Sequence, residues 1–215
     1  IQYVNIGEPD RTGQVAYAWS SNTSSSDRVP FTAPYVVSGT GGWVQRLTPG
    51  SYVVSLPFRG AAVGTGFGHI AITTYGASPV RCAAMPPPAL ASDIVYVQCL
   101  NAAGTPTDTM FSLARSRNTT TFPTTVGGYA SFDGSRLNES WTSNGRGVTY
   151  ANVNGQHRLT FAGLGGAGGT AELSATQARS CQIVSWTQSG ADAVVNVACA
   201  GPFKVEFGRM DPLGR

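Results

Sequence analysis

Apolar and polar residues alternate with a period of two along most of the chain. Tyr52, Val54 and Leu56 alternate with Ser51, Val53 and Ser55, Ile94 and Tyr96 with Val95 and Val97, and Leu159 and Phe161 flank Thr160. Runs of β-branched and aromatic residues bounded by Gly, Pro, Asn and Ser clusters are strand signals. About six occur in each half of the chain, at the spacing of an all-β sandwich. Residues 171–179, rich in Ala, Glu, Leu and Gln, carry the only helical propensity.

The two halves match each other. Residues 50–57 correspond to 155–162, 69–73 to 170–174 and 93–99 to 193–199, with a Gly-rich stretch after the first segment of each half. Residues 69–75 have strand character, so their counterpart at 171–176 is predicted to be a strand despite its helical propensity. The match divides the chain into a first β repeat unit with its N-terminal segment at 1–117, a Thr-rich linker at 118–126 and a second unit at 127–215. The cysteines repeat with the halves, as Cys82 and Cys99, then Cys181 and Cys199. No CxxC spacing occurs, which argues against a zinc or thioredoxin-like site. The expected fold is all-β: two tandem antiparallel β-sandwich-like repeats, each with one internal disulfide (Cys82–Cys99, Cys181–Cys199) linking neighbouring strands. Each bridge is worth about 3 kcal/mol by loop entropy and implies an oxidising, extracellular compartment.

Composition narrows the function classes. Charged residues make up 12% of the 215, with 27 Gly and 13 Pro, too few charges for long surface helices. The net charge of +3 has no basic cluster behind it, so nucleic acid is not an expected partner. No apolar run approaches the roughly 18 residues of a membrane span. Lys204 is the only lysine.

The pattern from Tyr52 through Pro57, a Gly-rich turn, a strand ending Thr74-Tyr75-Gly76, Cys82, a strand ending Val97-Gln98-Cys99, then residues 101–111, resembles a repeat of secreted actinobacterial and other bacterial proteins. The resemblance covers about 50–111 well and the second half more loosely. It implies a secreted bacterial origin and a repeat architecture, and it brings no catalytic residues.

Catalytic signatures are missing from the sequence. No Gly-x-Ser-x-Gly string occurs, and the two histidines, His69 and His157, occupy non-equivalent repeat positions. His69 follows the Gly-rich residues 64–68, a loop that would expose it, and is the better binding candidate. Gly163 to Gly168 formally fit GxGxxG, but a strand follows, so the glycines are expected to serve a hairpin connection. Asp93, Asp108 and Asp192 carry turn signatures. Without HExxH, EF-hand spacing or a His cluster, no metal and no cofactor is assigned. Among the tryptophans, Trp43 aligns with Val148 and is expected in the core. Trp186, between the paired cysteines, and Trp141, beside Asn138 and Asn144, are expected to be exposed and suited to binding sugar. These readings describe a secreted, non-catalytic binding or adhesion protein for a polysaccharide or surface protein. Three others stand behind it: a self-associating structural subunit, a secreted hydrolase, and a protease inhibitor presenting residues 83–91 with their Pro86-Pro87-Pro88 run.

Overall fold

The computed structural model describes residues 14–32, 36–37, 41–58, 68–76, 79–85, 93–121, 126–176 and 180–209. Among them are strands and no helix. The first half contributes β1 (Gln14–Ser20), β2 (Val29–Pro30), β3 (Val36–Val37), β4 (Trp43–Thr48), β5 (Ser51–Ser55), β6 (His69–Tyr75), β7 (Arg81–Met85), β8 (Ile94–Leu100) and β9 (Met110–Arg117). The second contributes β10 (Val126–Phe132), β11 (Leu137–Thr142), β12 (Val148–Val153), β13 (Gln156–Phe161), β14 (Gly169–Ala175), β15 (Cys181–Ser189), β16 (Asp192–Cys199) and β17 (Phe203–Arg209). Each half therefore holds more strands than its six strongest apolar runs suggest. The additions include two-residue pieces too short to show a period.

Both halves use one plan. Sheets of order β3-β1-β9-β6 and β2-β4-β5-β8-β7 enclose the first core, and sheets of order β11-β10-β17-β14 and β12-β13-β16-β15 enclose the second. All pairings are antiparallel. The cores are separate: Tyr52, Val54, Leu56, Phe111 and Leu113 lie in one, and Leu159, Phe161, Phe203, Val205 and Phe207 in the other. Residues 171–175 are strand, as their repeat partner dictates. Cys82 faces Cys99 across β7 and β8, Cys181 faces Cys199 across β15 and β16, and both pairs are bonded. Gly163 to Gly168 do not close a hairpin, because β13 and β14 belong to different sheets. The stretch carries the chain across the sandwich, with Gly163 and Gly168 at positive φ.

Trp43 is not a core residue. Alternation along β4 sends Val44 inward, and Trp43, half-buried, lies under the Arg28 guanidinium at 4.3 Å. Asp108 does more than shape a turn. Its carboxylate accepts hydrogen bonds from Arg46 Nε (3.0 Å), the Gly50 N–H (2.7 Å) and the Tyr52 hydroxyl (3.0 Å), joining β4, β5 and the approach to β9. Burial works to raise its pKa, but the Arg46 guanidinium and these donors outweigh that and hold the carboxyl below its usual range. Burial, with the bond to Asp108, pushes the Tyr52 hydroxyl up to about 12. Asp108→Ala is expected to cost about 2 kcal/mol, because it removes charge-assisted bonds and strands their donors; urea denaturation measures it.

The halves meet on a polar seam. On β17, Phe203, Val205 and Phe207 enter the second core while Lys204 and Glu206 point the other way, yet both faces are buried. The second face is covered by β6, which packs on β10, β14 and β17. The described part of the Thr-rich stretch joins this seam. Thr119, Thr120 and Thr121 are buried, and Thr121 donates its N–H and hydroxyl to the Glu206 carboxylate.

Candidate functional site

Alternation along β1 places Ala16 and Ala18 in the first core and turns Tyr17 and Trp19 outward. Trp19 is 42% exposed. Its ring meets Tyr75 edge-on at 5.1 Å, and the two side chains are hydrogen-bonded. The Tyr75 hydroxyl donates to the Ser20 carbonyl at 2.8 Å, which holds the pair in place. Burial pushes the Tyr75 hydroxyl above its ordinary pKa, so it stays protonated and keeps its bond to Ser20. Together with Asn22, Pro30, Phe31 and Met110 these residues line an open groove of about 650 Å³. Asn22 Oδ1 accepts from the N–H groups of Ser24 and Ser25, which fixes the amide. Its Nδ2 and the Ser20 hydroxyl make no hydrogen bond among the described residues. The groove thus sets a fixed aromatic wall, Trp19 on Tyr75, beside the apolar side chains of Pro30, Phe31 and Met110.

The three binding candidates expected from the sequence lie apart from this groove. His69 is fully buried, because Gly68 and β6 are pressed against the second half. Its Nε2 lies 3.4 Å from Glu206 Oε2, and neither ring nitrogen makes a hydrogen bond among the described residues. Burial, reinforced by the Lys204 charge, drives the ring's pKa down to about 3, so the imidazole is neutral. Nearby, Gly68 is held from both sides: its N–H donates to Glu139 Oε1 at 2.9 Å, and its carbonyl accepts from Lys204 Nζ. Burial lowers the Lys204 ammonium to about 8. Glu172, on β14, stands directly opposite Glu206 on β17, and donor atoms of His69, Glu172 and Glu206 all lie within 4.8 Å of one another.

Trp186 lies on β15 rather than in a loop. It is 37% exposed, and its ring packs edge-on against Phe207 at 5.6 Å. Trp141 is half-buried, stacked on Tyr129 at 5.9 Å. His157 is committed: Nε2 faces the Cys199 carbonyl and Nδ1 the Tyr150 hydroxyl, each at 3.0 Å. The turn carboxylate of Asp192 accepts the Gly163 N–H. Of the proline loop, residues 86–92 lie outside the described residues.

Trp19 is the residue that the sequence reading passed over. Its signal was the alternation of alanines with aromatics from Ala16 to Trp19, since the alanines are small enough to pack inward and leave the rings outside. No protein-family model, curated protein or solved structure matches the chain.

Proposed function

We propose that this chain is a secreted, non-catalytic binding protein that holds a polysaccharide in the groove beside Trp19. The observation that carries the reading is the fixed, exposed Trp19 ring set edge-on to Tyr75 in an open groove. A sugar ring offers an apolar C–H face to an indole, and the exposed Trp19 ring in an open groove presents the matching surface. Two disulfides support an oxidising, extracellular setting, in keeping with the resemblance to secreted bacterial repeats.

The test is co-sedimentation with insoluble polysaccharides and cell walls, with light scattering of the same sample. Retention by one glycan is expected, weakened about thirtyfold in Trp19→Ala, the effect of losing an aromatic anchor worth about 2 kcal/mol. Trp19 is exposed, so thermal stability should barely change. Trp186→Ala should bind like the parent protein. Equal retention of all three proteins sinks the Trp19 reading. No retention together with a large particle favours assembly instead, for which β15 offers an uncharged nine-residue edge exposing Val184 and Trp186.

A further inference from the structure

The geometry points to a divalent transition-metal site on the seam, with His69 from the first half and Glu172 and Glu206 from the second as its protein ligands. Three observations converge on it. The donor atoms of the three residues lie within 4.8 Å of one another, on β6, β14 and β17. Metal–ligand bonds of about 2.0–2.1 Å in a tetrahedral arrangement set ligand atoms roughly 3.4 Å apart. His69 Nε2 and Glu206 Oε2 stand at that 3.4 Å without a hydrogen bond between them.

The second observation is the state of His69. A fully buried imidazole with neither nitrogen hydrogen-bonded among the described residues carries the desolvation cost of both polar atoms. A metal ion accepts the Nε2 lone pair directly and removes part of that cost.

The third is the register of the sheet. Glu172 and Glu206 are direct cross-strand partners, so the pairing of β14 with β17 brings both carboxylates to the place that His69 meets. Thr121 holds both oxygens of Glu206, the supporting contact that orients a ligating carboxylate. Two carboxylates and one imidazole form a mixed oxygen and nitrogen donor set. Zinc suits this mixture of nitrogen and oxygen donors, with a fourth position left for water. Such an ion would join the two halves as a cross-link, separately from any ligand in the Trp19 groove.

The full chain is denatured in guanidinium with EDTA, refolded with and without Zn²⁺, freed of excess metal and assayed for bound zinc and melting temperature. One zinc per chain is expected, and a second melt of that protein with free Zn²⁺ restored to a hundredfold above Kd should lie about 5–10 °C above the metal-free melt. His69→Gln and Glu172→Gln should each weaken binding at least about a hundredfold. Should a variant not fold, Co²⁺ loaded into the parent chain reports directly, through visible d–d bands of a low-symmetry nitrogen and oxygen site. Substoichiometric zinc in correctly refolded parent protein overturns the proposal. Stoichiometric zinc that both folded variants retain unchanged overturns it as well, because the ion would sit elsewhere.

Discussion

Gly68→Ala is expected to lower the unfolding free energy by about 3–4 kcal/mol, seen as an earlier urea midpoint and a melting temperature down by about 10 °C. Gly68 has φ +66°, and a Cβ there would stand 1.8 Å from the Ser116 carbonyl oxygen, an approach no side-chain rotation relieves. The backbone must shift, and it is held from both sides, by Glu139 at its N–H and Lys204 at its carbonyl. The substitution therefore strains β6 and loosens the seam together. Gly104→Ala separates the two costs. It has a similar φ of +79° with nothing within 4 Å of the added carbon, so it should cost only about 1 kcal/mol. Equal losses at the two positions would show that the chain around Gly68 relaxes and that the clamp carries little.

The second large effect is in acid. For metal-stripped protein, lowering the pH from 6.5 to 4 is expected to remove on the order of 3 kcal/mol through His69. The unfolded imidazole takes a proton near 6.5, while burial and the Lys204 charge delay protonation in the folded chain to about 3. Between these values the unfolded state binds more protons, so stability falls as the pH falls. Among the described residues, Glu172 on β14 and Glu206 and Lys204 on β17 stand near the ring. Asp108 acts in the same direction at lower pH, since its carboxyl is held below the ordinary range. Lys204 acts at the alkaline end. Its folded value of about 8 lies below the unfolded 10.5, so stability should recover as the pH rises between them. Denaturation curves across pH 4–7 for the parent and His69→Gln check the assignment, and an acid slope that survives the substitution rules His69 out as its source.

The architecture was legible wherever the signal was local or repeated. A period of two marks a strand whatever surrounds it, and the cysteine pairs could be read because each bridge joins directly opposed residues on adjacent strands. Comparing the halves corrected the helical propensity at 171–176, a case where pairing in the sheet outweighs intrinsic preference. The seam was not legible. Lys204 and Glu206 alternate with Phe203, Val205 and Phe207, the pattern of an ordinary strand with one wet face, and nothing near them reveals that the other half covers that face. His69 was misread for the same reason. Its glycine-rich approach suggests a loose, exposed loop, whereas Gly68 is needed for close contact with Ser116. Trp43 shows the limit of alignment between repeats: a counterpart in Val148 says that the position is strand, but the neighbour Val44 decides which face is inside.

Lys204 is the chain's single lysine, and only 7% of it is exposed. An amine-selective acylating reagent consequently meets no lysine on the folded surface, and acylation of this side chain becomes a clock for separation of the two halves. When the halves reclose faster than the reagent reacts, the rate of Lys204 labelling relative to that in denatured protein gives the population of the parted state.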